Sequence, residues 1–522
     1  MTAPRPDPQM DSSPDHSRYP TETEKDEVGL PNQDPGTSSS EDTNEKVDSK
    51  AVDPQGRREL KEVDCPEVLA YAWPTWKKWM YLSSVAAIQI SMNYNTSVFP
   101  SAVKPLSAEF GIDEQGARVG QMIYLVLYSL AASSGRPGIP CALAPNWGTI
   151  VVCRALGGLS TAGGSVTLGL IADLYQPEEQ QWPLAFIVLS SCIGTSIGGV
   201  IGGPIQRFLT WQWFFWIMLI FGGVTQAVFF FMPESRATIL LDREAKRRRR
   251  TGQDPNIYGP NELKTPRISL KEAGIVWMRP FEMFVREPIV LCLSLLSGFS
   301  DALIFTFLES FPEVYTKWDF GILAQAWAFI PINLAYFIAY LMYLPCFWRD
   351  DSIRRKKGND WFLPERRLKV LLWLAPLEPI GLIGFAWTSL GPPRVHWIAP
   401  MIFSALVGIS NYAIYYSSVD YMIAAYGVYS ASACGGNAFA RDFLAGISAM
   451  YATPMYTNID GYSVEYASTI LAGLSVIVVV PIYVFYWKGP EIRDRSKFAK
   501  TLAEDRKKEG VERLGYADNL PV

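Results

Sequence analysis

From Trp73 onward the chain alternates long apolar runs with short polar joints. A helix needs roughly 20 mainly apolar residues to cross a bilayer, and each run reaches or approaches that length. The pattern therefore predicts an all-α polytopic membrane protein. Eleven spans are predicted, at 79–99, 117–133, 147–174, 183–207, 211–232, 288–311, 321–345, 369–390, 396–421, 430–456 and 464–487.

A long polar interruption divides the apolar runs into two helical bundles. Most of residues 1–72 are Pro, Asp, Glu, Ser, Thr and Lys, and such a composition buries too little apolar surface to offset its ordering entropy. We interpret this segment as disordered. The five predicted regions are a cytosolic tail (1–72), an N-terminal bundle (73–232), a central cytosolic loop (233–287), a C-terminal bundle (288–487) and a second cytosolic tail (488–522).

Basic residues are concentrated in a few of the polar segments. The central loop contains the basic run 246–250, and both the joint at 346–368 and the segment after Lys488 are rich in Lys and Arg. The joints near 312–320 and 457–463 carry at most one basic residue each. Because short basic loops stay on the cytosolic side of a membrane, both termini and the central loop are predicted to be cytosolic.

The first bundle is one span short. Six spans are predicted in the C-terminal bundle and five in the N-terminal bundle. From a cytosolic N-terminus, five crossings would place the basic run 246–250 outside the cell, against the rule for basic loops. A further span between Ser134 and Trp147 would resolve the conflict, but the residues there are too few and include three prolines. We therefore predict that most of the third helix is absent from this chain.

Ionisable groups inside the predicted spans are candidates for function, because their burial in a bilayer is costly. Asp301 and Glu309 lie on one stripe of one helix, and Arg154 lies early in the third predicted span. A carboxyl group in a low-dielectric site can bind and release a proton near neutral pH. Glu309 is the first candidate for proton coupling and Asp301 the second, with Arg154 as their charge partner. The alternative for each is an ion pair that only holds helices together.

Further polar residues in the spans are candidates for lining a substrate cavity. They occur in several different spans, so a shared cavity between helices would satisfy them together. The alternative is hydrogen bonding that only stabilises helix packing. The candidates are Asn93, Glu378, Asn411, Asn437 and Arg441.

One predicted span contains two overlapping series of glycines at a spacing of four residues, followed by a proline. Small residues at this spacing let helix backbones touch in a bilayer. The series indicates either static close packing or a sliding contact between the bundles. Its members are Gly194, Gly198, Gly199, Gly202, Gly203 and Pro204.

The composition argues against catalysis and nucleic-acid binding. The chain has two histidines, so no histidine-based triad or metal cluster can be built from its sequence. Its seven cysteines form no CxxC pair, and its net charge is −4. We expect no enzyme activity, no metal, no cofactor and no nucleic-acid partner.

Several stretches resemble the major facilitator superfamily, specifically the fungal twelve-span drug:proton antiporter family. VVCRALGG (151–158) resembles the fourth-helix motif of that family with its membrane arginine. IGGVIGGPI (197–205) followed by WQWFFW (211–216) resembles the fifth-helix antiporter motif and its sequel, with Gln212 in place of the usual arginine. AFARDFLAG (438–446) resembles the eleventh helix.

This resemblance extends over residues 73–500. It implies two six-helix bundles around a central cavity, a plasma-membrane location and a monomer. It also implies proton-coupled efflux of small organic molecules such as drugs, polyamines or secondary metabolites, including toxins, with the proton gradient as energy source. The alternatives are proton-coupled uptake of a polyamine or organic acid, and a pseudo-transporter that acts as a membrane scaffold.

The chain departs from the family at the loop between the second and third helices. The family carries a Gly-x-x-x-Asp-Arg-x-Gly-Arg-Arg-Pro motif there, whose Asp and Arg gate the cytosolic side. Only Gly135-Arg136-Pro137 remains in this chain. The resemblance thus indicates the same gap as the span count, and it leaves transport by this chain as a prediction to be tested.

Overall fold

The structure is a computed structural model that describes residues 58–130, 141–159, 163–175, 179–262, 270–357, 364–459 and 461–496. The first half contains α1 (Thr75–Ser97), α2 (Val103–Phe110), α3 (Glu114–Leu130), α4 (Trp147–Leu159), α5 (Gly163–Leu174), α6 (Gln181–Phe208) and α7 (Gln212–Phe230). The central segment contains α8 (Ala237–Thr251) and α9 (Leu270–Arg286). The second half contains α10 (Pro288–Tyr315), α11 (Ile322–Trp327), α12 (Ile330–Lys357), α13 (Leu371–Leu374), α14 (Leu377–Thr388), α15 (Ile398–Tyr426), α16 (Ser430–Thr457) and α17 (Ser463–Arg495). Short 3-10 helices lie at Glu62–Asp64, Pro66–Val68, Ala70–Ala72, Phe99–Ala102, Thr316–Trp318, Pro364–Leu368 and Gly427–Tyr429.

The predicted spans form helices, which confirms the all-α polytopic architecture. In the described part of the chain, seven segments are long and apolar enough to cross a membrane: Gln181–Phe208, Gln212–Phe230, Pro288–Trp318, Ile322–Lys356, Pro364–Thr388, Ile398–Tyr426 and Ser463–Arg495. The predicted spans at 79–99, 117–133, 147–174 and 430–456 also lie largely on helices, but these are shorter or less apolar. In α16 the charged residues Arg441 and Asp442 reduce the apolar character.

The core of each half is built from a few long helix pairs. In the first half α1 packs along α6 and α7, and α3 packs along α4. In the second half α10 packs along α16, and α14 packs against both α15 and α17. The halves meet where α3 contacts α16 and where α6 contacts α11 and α12. These two junctions enclose the centre of the molecule.

Helices α3 and α4 run parallel to each other. A Cβ atom on Gly120 would lie 3.0 Å from the Trp147 ring, and a Cβ atom on Gly158 would lie 2.4 Å from the Tyr124 carbonyl oxygen. Early residues of α3 therefore face early residues of α4, and later residues face later ones. The chain must return along the length of α3 before α4 begins.

The second half contains an equivalent pair of parallel helices, α12 and α15. Ala335 lies against Gly408, where an added Cβ atom would be 3.3 Å from the alanine Cβ. Further along both helices, the Tyr343 and Ser417 hydroxyls are hydrogen bonded at 2.8 Å. Because these helices are also parallel, the chain must return along α12 before α15 begins.

The connections between these two parallel pairs differ greatly in length. Residues 358–397 connect α12 to α15 and include the helix α14. Residues 131–146 connect α3 to α4, and residues 131–140 lie outside the described part. An extended residue spans at most about 3.6 Å, so the shorter connection is long enough to return as an extended chain. A short connection without a helix of span length is what the predicted absence of most of the third helix would leave between α3 and α4.

Residues 58–72 pack on the central segment, although the sequence placed them in a disordered tail. The strand β1 (Arg58–Glu59) pairs in parallel with β2 (Ile257–Tyr258). Leu69 and Leu241 of α8 are buried in one apolar cluster beside these strands. The prediction is wrong for this segment because the composition of the whole tail concealed its few apolar residues.

Candidate functional site

Helix α6 stands at the junction of the halves and makes close contacts through glycines on two sides. A Cβ atom on Gly198 would lie 2.0 Å from Ser97 Oγ of α1, and one on Gly203 would lie 2.3 Å from Ala326 Cβ of α11. Only glycine permits the helices to approach this closely. The glycines that face α1 and the turn after it are Gly194, Gly198 and Gly202, those that face the second half are Gly199 and Gly203, and Pro204 follows in the helix. The close packing indicated by the spacing therefore joins α6 to both halves.

A polar cavity, which we call the central cavity, lies between the two halves. The first half contributes residues from α1, α3, α5 and α6, and the second half contributes residues from α15 and α16. Its polar lining includes Gln89, Asn93, Tyr128, Thr167, Ser191, Tyr415, Asn437, Arg441 and Asp442. The structure thus brings together three of the predicted cavity residues, Asn93, Asn437 and Arg441.

The charged residues that line the central cavity are Arg441 and Asp442, and Arg441 pairs with Asp301, which lies next to the lining but is not part of it. Arg441 Nη2 lies 3.6 Å from Asp301 Oδ2 of α10, and Asp442 is the next residue of α16. The guanidinium carbon of Arg441 lies 3.7 Å from the centroid of the Tyr415 ring. The side chains of Arg441 and Asp301 are only 8% and 12% exposed, so each charge depends strongly on its partner. A proton or a charged substrate at this pair would change what Arg441 binds.

Three buried polar atoms around the cavity have no hydrogen-bond partner among the described residues. They are Gln89 Oε1, Asn437 Nδ2 and Arg441 Nε. Beside them, Asn93 Nδ2 donates to Ser191 Oγ at 3.1 Å and so connects α1 to α6. Buried polar atoms are normally satisfied, by water or a ligand where the protein offers no partner. One acceptor and two donors are therefore available to a polar organic molecule.

An ion pair joins the halves at one end of the molecule, which we call the far end. Arg118 Nε of α3 donates to Glu309 Oε2 of α10 at 3.0 Å, and Thr453 Oγ1 of α16 donates to the same oxygen at 3.4 Å. Gln115 Nε2 donates to the Met450 carbonyl oxygen at 2.7 Å. The sequence analysis did not select Arg118, because an arginine near the start of a span is typically an interface residue. Its partner is 191 residues away, so only the fold reveals the pair.

Other contacts join the halves at the opposite end, which we call the terminal end because α1 begins there. Trp182 Nε1, at the start of α6, donates to Asp351 Oδ2 of α12 at 3.2 Å. The Trp182 and Phe347 ring centroids are 5.2 Å apart. Tyr412 Oη of α15 donates to the Ala185 carbonyl oxygen at 3.0 Å. The central cavity therefore lies between two sets of contacts that join the halves.

Arg154 occupies a different environment from the one predicted. Its side chain is buried, and its guanidinium carbon lies 4.3 Å and 4.2 Å from the ring centroids of Phe99 and Tyr124. Arg154 is not paired with Glu309 or Asp301 in the structure. Glu309 pairs with Arg118, and Asp301 pairs with Arg441. The presence of a charge in a span was visible in the sequence, but its partner was not.

Glu378 and Asn411, two other predicted cavity residues, lie inside the second half. Ser300 Oγ donates to Glu378 Oε2 at 2.6 Å, and Ser475 Oγ donates to Glu378 Oε1 at 3.2 Å. Asn411 Nδ2 donates to Ser300 Oγ at 3.1 Å. These residues form a hydrogen-bond network that joins α10, α14, α15 and α17, and they do not line the central cavity.

Comparisons with known proteins agree with this architecture. The family model described as Major Facilitator Superfamily matches residues 116–441. The transporter paaT of Penicillium rubens is 29% identical over 458 residues, which cover 83% of this chain and 82% of the relative. The efflux pump atB of Aspergillus terreus is 29% identical over 433 residues, which cover 81% of this chain and 86% of the relative. A crystal structure of the peptide transporter POT in complex with sulfate has the same fold, with a TM-score of 0.53 at 14% identity, covering 84% of this chain and 99% of that chain.

Proposed function

The chain belongs to the major facilitator superfamily of membrane transporters, and on that premise we propose that it exports a small organic molecule in exchange for protons. The observation that carries the proposal is the buried pair between Arg441, which lines the central cavity, and Asp301, which lies next to that lining. Both halves line this cavity, and transporters built from two halves hold their substrate at such an interface. Rocking of the halves would then expose the cavity to each side of the membrane in turn.

Asp301 offers a direct way for protons and substrate to compete. When Asp301 is ionised, its charge is available to Arg441 and to a donor or positive group on a substrate. A proton on Asp301 removes that charge and the Coulomb attraction with it. Substrate would therefore bind the ionised form and leave when a proton arrives, which is the order that antiport requires.

Glu309 would act at a different step from Asp301. The two carboxylates are eight residues apart on α10, which corresponds to about 12 Å along the helix axis. Glu309 lies in the ion pair at the far end, so a proton there would remove the charge that binds Arg118. Loss of this ion pair would favour separation of the halves at the far end.

The direction and location of transport are part of the same proposal. Export is supported by the relative named as an efflux pump. A plasma-membrane location with both termini in the cytosol is supported by the basic run 246–250 and by the basic residues of the joint at 346–368. The proton gradient would supply the energy to a monomer, with no cofactor.

The test begins in an efflux-deficient yeast that expresses the chain, with a panel of toxic compounds. A compound whose toxicity falls becomes the substrate in inside-out vesicles, where an acidic interior should drive its accumulation. Asp301→Asn should abolish the accumulation, whereas the matched control Glu378→Gln, in a buried network outside the cavity, should retain it. Retained pH-driven accumulation in Asp301→Asn would remove Asp301 from the mechanism.

A non-transporting scaffold is the second candidate, and the short connection at 131–146 favours it. That connection lacks the Asp-Arg pair that the family uses between its second and third helices. Unchanged sensitivity to every compound, with the protein correctly localised, would support the scaffold and count against export. Increased sensitivity to a compound, with accumulation in intact cells, would support uptake instead.

A further inference from the structure

Helix α9 lies before the first span of the second half, within the region predicted as a cytosolic loop. One of its faces packs on the protein. Met283 is fully buried, and the Phe284 ring lies 5.8 Å from the ring of Phe439 on α16. A Cβ atom on Gly436 of α16 would lie 3.1 Å from the Pro280 carbonyl oxygen. These contacts hold α9 against the terminal end of the second half.

A second face of α9 is apolar and largely uncovered, except that the Phe281 ring contacts the Phe439 ring of α16, with centroids 5.1 Å apart. Trp277, Met278 and Val285 are 47%, 52% and 72% exposed. Met278, Phe281 and Val285 follow the spacing i, i+3, i+7, and Trp277 is four residues before Phe281, so these residues form one stripe along the helix. The rings of Trp277 and Phe281 are in contact, with centroids 5.4 Å apart. We call this set of four residues the apolar stripe.

The remaining face of α9 is polar. Glu282 and Arg286 are exposed and form an ion pair one turn apart, and Arg279 lies between them and the start of the helix. Around the helix, Arg279 and Arg286 lie about 100° or more from Val285, between the apolar stripe and the face that packs on α16. Glu282, four residues after Met278, borders the stripe. This three-sided arrangement is typical of a helix that lies in the plane of a membrane surface.

The apolar stripe is continuous with a surface that faces lipid. Only Glu287 separates α9 from α10, which is one of the candidate membrane spans. On α10 the side chain of Leu295 is exposed by 40%, as expected for a residue in contact with acyl chains. Tryptophan residues such as Trp277 favour the boundary between headgroups and acyl chains.

We propose that α9 is an interfacial helix whose apolar stripe is embedded in the headgroup–acyl boundary of the bilayer at the terminal end. The partner of this surface is phospholipid, and the polar face with Glu282 and Arg286 is turned toward the aqueous phase. Glu287, the residue between α9 and α10, accepts a hydrogen bond from Tyr426 Oη at 3.2 Å. This bond fixes the start of α10 next to α9. The helix that carries Asp301 and Glu309 thus begins at a membrane-anchored point.

The experiment measures the depth of spin labels on the full chain in phospholipid nanodiscs. The background chain carries Cys292→Ser and Cys346→Ser, because the other five cysteines are buried. Labels are attached to Met278→Cys and Val285→Cys on the apolar stripe and to the matched control Arg286→Cys, which is exposed and lies about 100° around the helix from Val285. Collision rates with oxygen, which partitions into lipid, are compared with those of a water-soluble nickel chelate.

We expect the ratio of oxygen to nickel collisions to be several-fold higher at positions 278 and 285 than at position 286. Equal ratios at the three positions would overturn the proposal, since the stripe would then face water. Exclusion of both reagents at 278 and 285 would also overturn it, because a protein partner would cover the stripe. The measurement requires no transport, so its result is independent of the proposed export.

Discussion

Arg118 Nε of α3 donates to Glu309 Oε2 of α10 at 3.0 Å, so an ion pair joins the two halves of the transporter at the far end. The two side chains are 8% and 5% exposed. Charges buried to this extent are costly unless they are paired, so each residue strongly constrains the other. The halves cannot separate at this end without breaking the pair.

The first prediction concerns the energetic coupling of Arg118 and Glu309. Arg118→Gln should lower the free energy of unfolding by about 3–5 kcal/mol, because it leaves Glu309 as an uncompensated buried charge. Glu309→Gln should lower it less, because Arg118 Nη2 keeps Glu114 Oε2 as a partner at 3.5 Å. The double variant should be more stable than either single variant, since it contains neither charge. Thermal unfolding of the four proteins in detergent measures the effect, and additive losses would contradict it.

The same ion pair should control access to the central cavity. A cysteine at position 437 should react faster with a membrane-impermeant maleimide in Glu309→Gln than in the parent protein. The matched control is Glu465→Gln, which breaks the pair between Lys317 Nζ and Glu465 Oε1 at 3.1 Å, a contact within the second half. If both variants increase the reactivity equally, the Arg118–Glu309 pair has no special role in closing the far end.

The second prediction concerns the close approach of α6 to α11. Gly203→Ala should reduce both stability and transport, because the added Cβ atom would lie 2.3 Å from Ala326 Cβ. Adding Ala326→Gly should restore both, since the next nearest atom is the Ile322 carbonyl oxygen at 3.2 Å. The control is Gly223→Ala on α7, which has no atom within 4 Å of the added Cβ atom and should be tolerated. Failure of the double variant to recover would mean that the contact between the halves is not what requires glycine.

Several features of this site were predictable from the sequence, and others were not. Asn93, Asn437 and Arg441 are polar residues in apolar helices, for which the cost of such residues in a bilayer predicted a shared cavity, and the three line one cavity in the structure. The same criterion also selected Glu378, which lies in a network within one half. Hydropathy identifies a polar residue in a span, but the direction in which its side chain points depends on how the helices pack. Arg118 was missed because it lies near the start of a span, and only the packing of the helices shows that its side chain points to Glu309.

The third prediction separates Glu378 from the transport mechanism. Glu378→Gln retains an oxygen that can accept from Ser300 or Ser475, so transport and stability should change little. Glu378→Leu leaves both hydroxyls without their acceptor, at a cost of about 1–3 kcal/mol for each unsatisfied group. Thermal unfolding should therefore show a loss of stability in Glu378→Leu only, and pH-driven accumulation should be retained in Glu378→Gln. Loss of proton coupling in Glu378→Gln would contradict this prediction and give the residue a role in the transport mechanism.

The last prediction concerns the connection between α3 and α4. The two helices are parallel, and Trp147 at the start of α4 lies against Gly120, ten residues before the end of α3, so the chain returns over about 15 Å within residues 131–146. The equivalent return in the second half passes through α14, which packs against both α15 and α17. We expect the transcript across Leu130–Cys141 to encode an additional apolar segment and an Asp-Arg loop, which would complete a twelve-span transporter. A transcript that matches the present sequence would establish an eleven-span chain, and the scaffold would then become the better account of its function.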